Sequence, residues 1–449
     1  MLAPAGQLRR LLGNAHVSAD PDVLSARSVD WTGRYRGSAA LLVRPGCAEE
    51  VAAVLEVCRE AGAFVTVQGG RTSLVAGTVP EHDDVLLSTE RLTAVGPVDE
   101  LRRRIRVGAG ATLADVQRAA SGAGLLFGVD LAARDSATVG GMASTNAGGL
   151  RTVRYGAMAD QVVGLEVALP DGSLLRRYPT VPSDNTGYDL RSLFVGAEGT
   201  LGVITEVNLR LRPTPRHRIS AICGFDDLDA LVACGRDLRD EPTIAALELL
   251  DGRGVRLADE RLGVPAPVRA DWLLLVELAG DSDQSEPLAA ALEGQPMSAE
   301  PAVGADPAAR QRLWRTREAL AEVVGLFGPP VKFDVALPLS EISGFAADAA
   351  ALIGEHAPNA RPVLFGHVGE GNLHLNVLGC TPGEEAALYG AMMGVIAARG
   401  GNVSSEHGVG SRKRAYLSMA RDPADIAAMR RVKAAFDPTG CLNPAVLFD

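Results

Sequence analysis

Gln68-Gly69-Gly70-Arg71-Thr72-Ser73-Leu74-Val75-Ala76-Gly77 follows directly on a short apolar run, Ala63 to Val67. Consecutive small residues after a strand turn several backbone N–H groups into one concavity. Such a nest binds phosphate without a side-chain charge. Upstream, Glu49 to Ala61 reads as a helix: Val51, Val54, Leu55 and Cys58 recur at helical spacing, and Gly62 supplies the stop. The order is helix, strand, glycine loop. Taken alone, the loop is equally readable as a surface turn.

Two further tracts are as dense in small residues. One runs Ser136-Ala137-Thr138-Val139-Gly140-Gly141-Met142-Ala143-Ser144-Thr145-Asn146-Ala147-Gly148-Gly149, and the other Gly196-Ala197-Glu198-Gly199-Thr200-Leu201-Gly202. Small residues let a backbone come close to a flat ligand. Three tracts in one domain point to a long ligand with several backbone contacts. The competing nucleotide motif, Gly108-Ala109-Gly110 between a strand at Ile105 and Val107 and a helix opened by Thr112 and Asp115, lacks its third glycine; Leu113 stands there.

After Gly202 comes the clearest strand. Val203, Thr205, Val207, Leu209 and Leu211 alternate with Ile204, Glu206, Asn208, Arg210 and Arg212 until Pro213 and Pro215. A domain boundary is expected there, giving domains 1–214 and 215–449. The second mixes strands (Trp272 to Leu278, Val363 to Phe365, His374 to Leu378) with alanine-rich helices, an α+β pattern. Residues 400–449 read as a helical return, with Asp422-Pro423 opening a helix that ends near Phe436.

Composition limits the function. The 449 residues are 47% hydrophobic and carry a formal net charge of -11, which argues against nucleic-acid binding. An anionic substrate then needs a local cation cluster. Six scattered cysteines without a CxxC motif read as neutral thiols in a reducing compartment. Neither a signal peptide nor a run of roughly 18 apolar residues is evident, so the cytoplasm is the expected location. The sequence leaves the assembly open; a homodimer is one that it allows.

Three of the seven histidines fall in two C-terminal motifs. The first is Gly366-His367-Val368-Gly369-Glu370-Gly371-Asn372-Leu373-His374-Leu375-Asn376. A straight strand would place His367 and His374 on opposite faces, whereas a turn at the glycines brings them together. The second is Ser404-Ser405-Glu406-His407-Gly408-Val409-Gly410. Two histidines and a carboxylate with a coordination position left open make a catalytic metal site. Zinc suits the ligand types best; manganese, cobalt and iron are compatible. The competing reading is a pair of buried, hydrogen-bonded histidines.

Residues 41–212 resemble the FAD-binding domain of the vanillyl-alcohol oxidase, or p-cresol methylhydroxylase, superfamily. The histidine motifs, with Asp184-Asn185-Thr186-Gly187-Tyr188-Asp189-Leu190 and Ser411-Arg412-Lys413-Arg414, resemble the FAD-linked D-2-hydroxyacid dehydrogenases, nearest to the D-2-hydroxyglutarate branch. The resemblance implies a p-cresol methylhydroxylase-type FAD domain followed by an α+β C-terminal domain, the 400–449 segment returning towards the FAD domain. It implies FAD contacts at Gly69, Gly70, Arg71, Thr72, Ser73, Leu74 and Gly77. Others are implied at Ser136, Thr138, Gly140, Gly141, Ser144, Asn146, Gly148 and Gly149, and at Gly199, Gly202, Val203 and Ile204. Some relatives attach flavin to a loop histidine; this loop has none, which implies non-covalent FAD. Arg71, Ala76 and Glu370 depart from the residues common at their places.

Carried over residue by residue, His367, His374 and Glu406 match metal ligands beside the flavin, and His407 matches the base for the substrate hydroxyl. Arg317, in Trp314-Arg315-Thr316-Arg317-Glu318, matches a substrate-carboxylate clamp. Lys332 and Asn376 match further substrate contacts, and Ala321 stands where a threonine is expected. The implied reaction is metal-assisted oxidation of a D-2-hydroxy acid, first D-2-hydroxyglutarate, otherwise D-lactate or glycolate. Hydride would pass to flavin N5 and then as electrons to an acceptor that the sequence does not identify. The competing class is a flavin-binding subunit without activity of its own.

Overall fold

The computed structural model describes residues 4–181 and 183–448. The chain divides into two compact units. One comprises Met1–Gly148, Gly156–Thr214 and Glu406–Asp449, and the other Gly149–Tyr155 and Pro215–Ser405.

In the first unit the described residues form two sheets. Four strands are ordered Val17–Ser18, Ala39–Val43, Asp84–Ser88, Val65–Gln68, the last three parallel. The helix Ala48–Glu60 buries Val51, Val54, Leu55 and Cys58, the residues its spacing singles out. The other sheet is antiparallel and centred on Val203–Pro213, which pairs with Arg104–Gly108, Val162–Ala168 and Leu125–Phe127. Its second half keeps the expected alternation: Val207, Leu209 and Leu211 are buried and Arg210 is exposed. Its first half is buried on both faces. Val203 packs into a core with Val51 and Leu55, and Ile204 into another with Val139 and Phe194. Thr112 and Asp115 exchange hydrogen bonds in a capping box that opens the helix Leu113–Gly122.

The return of residues 400–449 is less helical than the sequence suggests. Only Leu417–Ala420 and Pro423–Phe436 are α-helical among its described residues. The rest is spent on backbone pairing within this unit. Leu442 bridges Val65, and Leu447 N–H donates to the Gly410 carbonyl. The six cysteines are free thiols.

The second unit carries a seven-stranded antiparallel sheet. Its order is Ala302–Gly304, His217–Phe225, Trp272–Gly280, Ile244–Asp251, Arg361–His367, Asn372–Leu378, Val331–Ala336. One face packs under the helices Gly252–Leu262 and Pro307–Gly325, through Val255, Leu313, Leu320 and Val323 on Leu250, Val363 and Phe365. This apolar face also holds the polar residues of interest.

Candidate active site

The two histidines of the first motif are brought together by a hairpin. Arg361–His367 and Asn372–Leu378 pair with His367 opposite Asn372 and Phe365 opposite His374. Residues two apart share a face, so both imidazoles project to one side. Their ring centroids are 5.2 Å apart with planes at 88°. Gly371 makes the turn with φ 71°, where a Cβ would lie 2.0 Å from the Leu337 carbonyl oxygen.

The neighbouring strand Val331–Ala336 sets Asp334 opposite His374 and Lys332 opposite Asn376. An Asp334 carboxylate oxygen lies 3.7 Å from His374 Nδ1, and the other accepts the Ser405 N–H at 3.1 Å. His374 and the adjacent buried Asp334 carboxylate are nitrogen and oxygen donors of the kind that a divalent cation of the zinc or manganese type takes. Burial pulls the Lys332 ammonium below its usual pKa. The Asn376 amide is buried and donates to the His374 carbonyl at 3.2 Å.

Glu248 lies opposite His367 on Ile244–Asp251 and uses both carboxylate oxygens. Oε1 is 2.5 Å from His367 Nδ1, and Oε2 accepts from Arg317 Nε at 2.7 Å. Burial pushes the Glu248 carboxyl up, but His367 and Arg317 beside it outweigh burial, and its pKa falls below the ordinary value. The Arg317 guanidinium also lies over the Phe365 ring at 4.5 Å. Its Nε is taken, and the NH1–NH2 edge has no hydrogen bond among the described residues. That edge is the one suited to a bidentate carboxylate. Ala321, one turn further along the helix, is exposed.

Glu406 and His407 belong to the first unit, with His407 Nε2 3.6 Å from Glu406 Oε1. The residues after them are fixed there. Val409 and Gly410 N–H groups donate to the Glu198 carboxylate, and Arg412 N–H donates to the Val75 carbonyl. The three small-residue tracts meet in this unit. Gly70 N–H donates to Thr138 Oγ1 at 3.2 Å, and a Cβ at Gly70 would lie 1.9 Å from the Ser136 carbonyl oxygen. Gly196 and Glu198 N–H groups donate to the Ala143 and Ser144 carbonyls at 2.9 and 2.7 Å. Asn146 takes a left-handed conformation, and its side chain accepts from Ala159 N–H. Arg71 and Ala76, the two departures in the first tract, both hold φ near 55°. Gly149 lies in the second unit. The rival motif is ruled out by its own bonds: the Gly108 and Gly110 N–H groups donate to the Ala94 and Leu92 carbonyls.

Glu248, Glu198 and Asp334 stand outside the functional residues that the sequence motifs point to. For Glu248 a signal existed, a lone charge inside the apolar run Ile244 to Leu250. For Glu198 and Asp334 none did, because their partners are distant in sequence.

Residues 214–447 match the model of the C-terminal domain of FAD linked oxidases, and residues 39–177 match an FAD binding domain. The chain is 35% identical to a mitochondrial D-2-hydroxyglutarate dehydrogenase of Bos taurus, over 95% of this chain and 80% of the other. It is 32% identical to a D-2-hydroxyglutarate dehydrogenase of Stutzerimonas stutzeri over 98% of each chain. In fold it is similar to p-cresol methylhydroxylase, with a TM-score of 0.83 at 18% identity, covering 99% of this chain and 96% of that one. The chain therefore belongs to the FAD-linked oxidases and groups with the D-2-hydroxyglutarate dehydrogenases, oxidoreductases acting on a CH–OH group.

Proposed function

We propose that this enzyme oxidises D-2-hydroxyglutarate to 2-oxoglutarate, with non-covalent FAD and one divalent cation. The observation that carries the reading is the buried row Arg317–Glu248–His367 beside His374 and Asp334, in a chain with this kinship. Bound FAD supplies the hydride acceptor at N5, and the cation, zinc by donor type, supplies charge that acidifies the substrate hydroxyl. His367, His374 and Glu406 are the ligands proposed for it. Glu406 and His407 join the set through the resemblance of their motif, Ser404 to Gly410, to that of the D-2-hydroxyacid dehydrogenases.

Arg317 grips the carboxylate next to the reacting carbon through its NH1–NH2 edge. Lys332 and Asn376, one strand pair along, hold the distal carboxylate. A dianion restores the charge that burial disfavours on Lys332. His407 accepts the hydroxyl proton, as an imidazole is suited to do near neutral pH. The flavin is held by the backbone of the three small-residue tracts rather than by charged side chains.

Dye reduction with a panel of D- and L-2-hydroxy acids tests the substrate, and exhaustive chelation tests the cation. Activity with D-2-hydroxyglutarate that chelation abolishes, with flavin absorbance retained, is the expected outcome. Full activity after chelation, or in a His374→Ala variant, overturns the metal. Flavin that stays on the acid-precipitated chain overturns non-covalent binding. A shorter acid such as D-lactate is the second reading, favoured by the missing hydroxyl at Ala321.

A further inference from the structure

We infer that Glu248 is a positioning residue that sets a metal ligand and the substrate clamp with one carboxylate. It lies at the centre of a seven-stranded sheet, fully buried, in the strand Ile244–Asp251. Burying a charged cluster there brings little stability over an apolar trio of the same shape, so its presence calls for another reason. The two bonds provide one. The Oε1 contact at 2.5 Å selects His367 Nδ1 as the donor, which in the neutral imidazole puts the lone pair on Nε2, as ligation requires. The Oε2 contact at 2.7 Å takes Arg317 through Nε and leaves its NH1–NH2 edge for another acceptor, while the Phe365 ring limits rotation of the guanidinium plane. His367 and Arg317 come from a strand and a helix, and Glu248 is the one carboxylate that both side chains bind.

A second buried carboxylate on the same sheet face supplies the comparison. Glu277 accepts from Trp314 Nε1 at 2.8 Å and Ser220 Oγ at 3.1 Å, and touches none of the proposed ligands or substrate contacts. The inference rests on the proposed metal site, and the test separates the two. Purified FAD-loaded protein is stripped of metal and titrated with zinc against a chromophoric chelator, as wild type, Glu248→Gln, Glu248→Asp and Glu277→Gln. Glu248→Gln is expected to weaken zinc binding by about 10- to 100-fold and to raise KM for D-2-hydroxyglutarate, with flavin content unchanged. Glu248→Asp keeps the charge one methylene short and covers the case in which the amide variant fails to fold; an intermediate loss is expected. Glu277→Gln is expected to lower Tm and leave zinc affinity alone. Zinc affinity and KM at wild-type values in both Glu248 variants overturn the inference while the metal site stands. A wild type that takes up no zinc overturns the metal site and, with it, the role given to Glu248 at His367.

Discussion

Glu198 and Gly410 are joined by a hydrogen bond of 2.7 Å, from the Gly410 N–H to Oε2, while Oε1 accepts the Val409 N–H at 2.8 Å. One half-buried carboxylate in the third small-residue tract thus fixes the backbone that follows Glu406 and His407. Burial pushes the Glu198 carboxyl up, and the two N–H donors and Lys413 only partly offset this. The folded chain therefore holds this proton more tightly than the unfolded chain. Its contribution is complete below the ordinary carboxylate pKa and is lost as pH rises through the raised folded value. Glu198→Gln should remove that slope. It should also cost about 1–3 kcal/mol, because an amide nitrogen cannot accept the second N–H. Tm measured across pH checks both; an unchanged profile would exclude the clamp.

Lys433 spends its three ammonium protons on Asp437 at 2.6 Å, the Thr200 carbonyl at 2.7 Å and the Leu442 carbonyl at 2.8 Å. Lys433→Met leaves the Asp437 carboxylate buried without its counter-charge, which typically costs about 3–5 kcal/mol. Denaturant unfolding should show that loss, and Lys433→Met with Asp437→Asn should recover part of it. Equal stability of the single variant and wild type would contradict the assignment.

Arg317→Lys retains a charge but not the fork. A lysine cannot hold Glu248 and a bidentate carboxylate together, so a charge-assisted bond worth about 1.5–3 kcal/mol is lost. KM for the hydroxy acid should rise by roughly 10- to 150-fold, with the flavin spectrum unaltered. Steady-state kinetics beside an absorbance scan decide it.

Ala321→Thr restores a hydroxyl one turn from Arg317. If the dicarboxylate is the substrate, kcat/KM should rise for D-2-hydroxyglutarate relative to D-lactate. A native preference for D-lactate that the variant leaves untouched would show that the pocket fits the shorter acid.

Burial pushes the Cys58, Cys223 and Cys234 thiols up to about 12, whereas Cys47 is exposed and Cys380 partly so. At neutral pH a disulfide-exchange reagent should label Cys47 quickly and Cys380 more slowly. The four buried thiols, Cys441 included, should react only after unfolding. Rapid labelling of all six cysteines in the native protein would refute this.

Local pattern was enough for the helix Ala48–Glu60, the capping box at Thr112 and the alternating half of Val203–Pro213, because their periodicity is set by neighbours in the chain. The same holds for the hairpin of His367 and His374, where glycines within seven residues decide the turn. Both-face burial of Val203 to Thr205 was not legible, since it depends on two cores built from remote segments.

The residue types at the site, histidines, carboxylates and an arginine in specific motifs, were determined by the sequence itself. Which carboxylate answers which base was not. Glu248 meets His367 across 119 positions and Arg317 across 69, and Glu198 meets Gly410 across 212. Strand register and helix packing make those pairs, and only the tertiary structure decides them, because an electrostatic partner is chosen by distance in space and by burial, neither of which is written in chain order.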